Sequence, residues 1–240
     1  MATPDALAQW METRRKVDWA QCGAQVGGRE GPVTPAVDGF VRWVEGPVRE
    51  RDPVRARRLS TALALARADA ETGAALTPAV LAGWQRHVLN APEVPFREGD
   101  AFAKGGRERY GLGADTWVDF ARCLSESGDP DVPLAARAAR AYLDVAFFHP
   151  FADGNGRSAL LALGFVLHRE KVGLDQVGPL PMARYADDPE GAADFAALVA
   201  VLIRETARRS GRRDGHGHGN GGEGGHGGHG SQPGRTSPAS

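Results

Sequence analysis

The chain has 240 residues and a mass of 25.4 kDa, enough for one sizeable core plus appendages. A formal net charge of −1 gives no general pull toward nucleic acid or an anionic membrane, so neither is expected as a partner. The two cysteines, Cys22 and Cys123, supply neither a disulfide framework nor a cysteine metal centre, and no run reaches the roughly 20 apolar residues that span a bilayer. Residues 1–18 are polar and lack a signal-peptide apolar core, which together with the cysteine usage implies a cytoplasmic protein.

In chain order, residues 1–38 are read as an N-terminal extension and 39–210 as the main domain. Residues 55–72 carry Leu59, Leu63 and Leu65 among strong helix formers and stop at Gly73, which predicts a helix. Thr77 then offers a cap and Pro78 suits the first helical position of the next helix, whose Val80, Leu81, Trp84, Val88 and Leu89 fall at helical spacing. His87 on that helix is read as structurally unremarkable. Residues 92–112 break the pattern. Ala101 to Lys104, Gly105-Gly106 and Arg107 to Tyr110 predict two short strands around a glycine turn, the only β structure expected.

A helix over 116–125 follows, then a long one from Asp131-Val132-Pro133 to about Phe148, in which Ala135, Ala138 and Ala139 permit close packing. Residues 155–169 predict an apolar helix buried on most sides, with His168 near its C-terminal end in a favourable charge–dipole position. A last helix is expected over 192–208. From about Gly211 the sequence turns Gly- and His-rich, then Ser/Pro-rich, and loses apolar periodicity; 211–240 is read as a disordered tail. Its His216, His218, His226 and His229 are read as solvated low-complexity residues, with weak metal chelation as the alternative.

Between the last two core helices lies His149-Pro150-Phe151-Ala152-Asp153-Gly154-Asn155-Gly156-Arg157. A helix that begins at Gly154 or Asn155 presents unpaired backbone N–H groups and a positive dipole end, a ready anion site. Gly154 and Gly156 allow close approach of a phosphate and unusual backbone angles. Asn155 can fix the loop or donate to a phosphate oxygen, and Arg157 can clamp a phosphate bidentately. Asp153 suits Mg²⁺, which takes one or two carboxylates alongside phosphate oxygens and water. His149 can accept a proton from a hydroxyl near neutral pH. Phe151 reads as a core anchor and Pro150 as a turn former. The roles fit one reaction, attack of a hydroxyl on a metal-bound phosphate.

These residues resemble the signature of the Fic family, His-Pro-Phe-x-Asp/Glu-Gly-Asn-Gly-Arg-x-x-Arg, and more diffuse similarity extends over 39–208. The resemblance implies an all-α fold, a helical bundle with one small β-hairpin flap, and transfer of AMP from ATP to a Ser, Thr or Tyr hydroxyl of a target protein with Mg²⁺. It implies His149 as general base, Asp153 as the Mg²⁺ ligand, Gly154, Asn155 and Gly156 as the anion hole, Arg157 as a phosphate contact, and the 101–110 hairpin as the flap that holds the target by strand addition. The family's last Arg falls at Leu160 here. That departure opens the alternatives of a Doc-like kinase, of transfer of another phosphate-containing group, and of a nucleotide-binding module without turnover. Lys104, Arg107 and Arg109 on the flap are candidates for the missing charge. An inhibitory helix in many relatives reads Ser/Thr-x-x-x-Glu-Gly; residues 41–46 end in Glu45-Gly46 without the hydroxyl residue, and Glu45 is read as an exposed helix glutamate.

Overall fold

The computed structural model describes residues 3–23 and 31–216; most of the 211–240 tail, with His218, His226 and His229, lies outside the described residues. The two central helices are α7 (Leu134–Phe148) and α8 (Asn155–Arg169). They pack against each other so tightly that nearly every α7 residue is buried, since Ala136, Ala138 and Ala139 bring the backbones close where larger side chains would hold them apart. The expected helix over 155–169 is reproduced to the residue, apolar on most sides.

Around this pair sit α4 (Pro53–Glu71) and α5 (Pro78–Leu89) on the α8 side, and α6 (Thr116–Ser125) and α9 (Pro189–His216) against α7. Thr77 caps α5 through the Val80 N–H with Pro78 in the first turn, as its sequence requires. On α9, Phe195 meets Tyr142 of α7 with ring centroids 4.9 Å apart. The last helix is longer than the expected 192–208: α9 runs to His216, so residues 211–216, read as the start of the tail, continue a helix whose inner face is already docked.

Residues 1–38 contribute α1 (Ala6–Lys16), which Asp5 caps by accepting from the Leu7 and Ala8 N–H groups. Trp10 is fully buried, and its indole N–H donates to Asp144 Oδ1 on α7 at 3.0 Å. Arg14 reaches the same carboxylate through Nε (2.8 Å) and Nη2 (3.1 Å) and pairs with Glu126 at 2.9 Å. A short α2 (Gly39–Trp43), a π-helical turn at Val44–Val48 containing Pro47, and α3 (Arg49–Arg51) lead into α4.

Among the described residues the sheet is one antiparallel hairpin, β1 (Ala101–Ala103) and β2 (Glu108–Tyr110), with Ala101 opposite Tyr110 and Ala103 opposite Glu108. Gly105 and Gly106 take φ of +69° and +83° in its turn, which only glycine adopts freely. No helix of the described residues is long and apolar enough to cross a membrane.

Candidate active site

The site is made where α7 ends and α8 begins. His149 is the α7 C-cap, in the left-handed region at φ +50°, and its N–H still reaches Val145 O at 3.2 Å. Pro150 cannot continue the helix, and its carbonyl accepts the Arg97 N–H at 2.9 Å. Phe151 is buried and anchors the turn. Asn155, 3% exposed, closes the loop on itself: its Oδ1 accepts the Phe151 N–H at 2.9 Å and its Nδ2 donates to Phe151 O at 2.7 Å. With both ends of that amide engaged, what Asn155 offers an anion is its backbone N–H at the first turn of α8.

The two glycines do different work. Gly154 turns the chain at φ +79°, and a Cβ there would come within 2.6 Å of Gln85 Nε2 and 3.3 Å of Val88. Gly156 is exposed, with nothing within 4 Å of a would-be Cβ, and it lies in the first turn of α8, whose N–H groups have no intrahelical partner. Asp153 stands outside, its side chain 77% exposed; Oδ1 accepts the Gly154 N–H at 2.6 Å and Oδ2 accepts from Arg157 Nη2 at 3.1 Å. Arg157 lies back toward α5, with Nη1 3.5 Å from Val88 O, and the charges of Arg55 and Asp52 at the start of α4 also act on it.

His149 is half-buried. Its Nδ1 lies 3.2 Å from Ala146 O, which with a proton on Nδ1 leaves Nε2 as the acceptor. Burial pushes its pKa below the ordinary histidine value; Ala146 O, Glu108 and Asp153 pull it upward, and Arg97 adds to the depression. The structure thus brings His149, Asp153, Gly154, Asn155, Gly156 and Arg157 into one turn.

Leu160, at the position of the family's second Arg, is 3% exposed and sits in the apolar core one turn into α8. The flap cations are already engaged. Lys104 bonds Glu108 and Arg184 O, Arg107 bonds Lys104 O, and Arg109 bonds Asp100 and Asp5. Glu45 is exposed and pairs with Arg49 and the Ser60 hydroxyl. His168, half-exposed, lies 3.2 Å from Glu71 at the far end of α8.

Sequence reasoning missed the residues that hold the loop from behind. Gln85, fully buried on α5, donates to Asp153 O at 2.6 Å and accepts from the Ser158 hydroxyl. Arg97 ties the loop to the flap, bonding Phe148 O and, at 2.8 Å, Gly111 O. A buried Gln among apolar residues was the available signal, since such an amide needs partners. Gly154→Ala is expected to lower stability by about 1–3 kcal/mol, since an Ala at positive φ is strained and its methyl displaces the Gln85 amide; a thermal melt equal to wild type contradicts that packing.

Residues 84–167 match the family model described as the Fic/DOC family. No curated protein sequence matches the chain. Among solved structures, IbpAFic2 covalently tethered to Cdc42 is similar at 13% identity with a TM-score of 0.52, covering 82% of this chain and 70% of that one. IbpAFic2 in complex with adenylylated Cdc42 gives 12% identity and 0.50, covering 85% and 70%. A Fic domain containing signaling protein from Bacteroides thetaiotaomicron gives 15% and 0.50, covering 91% and 93%. At these identities the likeness is one of fold. The matched stretch opens at Trp84, beside Gln85, and ends at Leu167 in α8, so the part of the chain that resembles the Fic/DOC family contains the flap, the His149 loop and the helices that carry them.

Proposed function

We propose that this protein transfers a nucleotidyl group, most simply AMP from ATP, to a Ser, Thr or Tyr hydroxyl of a target protein. The observation that carries this reading is the placement, on one loop, of a half-buried imidazole at the end of α7 and of the unpaired N–H groups that open α8. A binding loop has no use for a base; a transferase does. The target hydroxyl attacks the α-phosphorus, the bond from that phosphorus to the bridging oxygen breaks, pyrophosphate departs, and the hydroxyl proton passes to His149 Nε2. The backbone N–H groups of Asn155 and Gly156 and the Arg157 guanidinium receive phosphate charge.

Asp153 fits a Mg²⁺ ligand. Each of its oxygens takes one hydrogen bond and keeps a lone pair toward solvent. Among the described residues no group of three or more His, Cys, Asp or Glu can hold a metal, so the ion would be shared between Asp153, phosphate oxygens and water. When bound it neutralises charge developing on the phosphates.

The target segment is held by the flap. β2 already meets Asp5 through a bridge at Arg109, which directs an added strand to the outer edge of β1, where Phe102 is 60% exposed. The fold neighbour found with adenylylated Cdc42 supports AMP as the group moved. Two buried free cysteines fit a cytoplasmic setting.

A burial-locked Leu160 favours a second reading, transfer of the terminal phosphate, because no guanidinium at that position orients the distal phosphates. Parallel incubations of lysate with α-labelled and γ-labelled ATP separate the two. AMP transfer places the α label on protein, and protein that carries only the γ label overturns it in favour of kinase chemistry. Nucleotide bound without either label on protein marks a binding module.

A further inference from the structure

In this chain the flap also reaches the proton acceptor. Tyr110 ends β2 and is 3% exposed, and its ring lies parallel to the His149 imidazole, 4.5 Å between centroids and 11° between planes. The hydrogen bond described for the imidazole is the 3.2 Å one to Ala146 O, and such sp³–sp² torsions have broad wells, so a stacked ring adds to what holds its orientation. The phenol covers one face of the imidazole.

The phenol is itself fixed by the flap. Its hydroxyl donates to Glu108 Oε2 at 2.6 Å, Glu108 Oε1 accepts from Lys104 Nζ at 2.6 Å, and Lys104 also donates to Arg184 O at 3.0 Å. Burial and the Glu108 carboxylate hold the Tyr110 pKa well above its ordinary value, so the hydroxyl remains a donor and takes no proton from a substrate. Its contribution is therefore one of shape.

We infer that Tyr110 is a positioning residue for the transfer step: through its ring the seated flap aims His149 Nε2, so that the element holding the target also aligns the base. The inference rests on His149 being the proton acceptor. Proton transfer is sensitive to such alignment, since a displacement of about 1 Å can cost about a hundredfold in rate.

The test compares the full chain as wild type, Tyr110→Phe, Tyr110→Leu and His149→Ala. Label transfer from α- and γ-labelled ATP to lysate protein is followed over a range of ATP concentrations. The histidine ring protons are followed by NMR, with His149 assigned from the His149→Ala difference. Tyr110→Phe is expected to keep the ring-current shift of the His149 protons and most of the rate. Tyr110→Leu is expected to lose that shift and to lower the saturating rate by about tenfold to a hundredfold, with the ATP concentration at half-maximal rate near that of wild type. If Tyr110→Leu does not fold, Tyr110→Met fills the volume without a ring and supplies the same comparison. His149-dependent transfer that runs at the wild-type saturating rate without the ring, or that weakens only through ATP affinity, overturns the role of Tyr110 and leaves the transferase reading standing. Label that does not depend on His149, or no label, overturns the transferase reading and this inference with it.

Discussion

His149→Ala is expected to lower the transfer rate by about a hundredfold to ten-thousandfold, the span that a positioned general base supplies. Binding of ATP should change little, because the anion-facing groups of the loop are backbone N–H groups and Arg157, none of which bonds the imidazole. Equilibrium titration with ATP beside initial-rate measurements separates the two quantities, and a variant that binds normally and still transfers at the wild-type rate removes His149 from the chemistry. The same group sets the pH dependence. A neutral imidazole accepts a proton and a protonated one does not, so the rate falls as pH drops through the His149 pKa. Burial places that pKa below the ordinary value of about 6.5, so the acid limb of the rate profile is expected below that pH. A limb above it means that Glu108 and Asp153, which favour the charged ring, outweigh burial and Arg97.

The largest expected effect on stability lies on α7 ahead of the loop. Asp144 is fully buried and accepts three hydrogen bonds, one from Trp10 and two from Arg14, which joins α1 to the middle of α7. Asp144→Ala leaves the Arg14 guanidinium, 8% exposed, with only Glu126 and the Cys123 carbonyl, and leaves the Trp10 indole N–H without its acceptor. Breaking a buried pair from one side costs about 3–5 kcal/mol, a large share of the stability of a domain of this kind. Denaturant unfolding followed by tryptophan fluorescence measures it, since Trp10 packs on Phe147 at 5.0 Å between ring centroids. A loss below about 1 kcal/mol would place the cluster with surface ion pairs and make α1 dispensable to the core.

The two results address different layers of the molecule, and those layers were unequally visible in the chain. The helices over 116–125 and 155–169, the Thr77 cap and the glycine-turned hairpin were legible because each is written in neighbouring residues: an apolar period, a capping hydroxyl before a proline, a pair of glycines. The loop from His149 to Arg157 was legible for the same reason, since the base, the carboxylate, the helix start and the guanidinium fall within nine consecutive residues.

What tertiary structure alone decided is how those groups are held. Gln85 meets Asp153 across 68 positions and Ser158 across 73, Arg14 meets Asp144 across 130, and Tyr110 covers His149 from a separate strand. Local periodicity carries no information about such pairs, because each is set by which helix faces pack. Packing also spent the Asn155 side chain on the loop itself, gave Gly154 and Gly156 unlike surroundings, and carried α9 through residues that look like the start of a tail. The sequence by itself determined the chemical groups and their order along the turn; the packing of α5, α7, α8 and the flap determined which of those groups remain free to meet a ligand, because a buried polar group must be satisfied by whatever the fold places beside it.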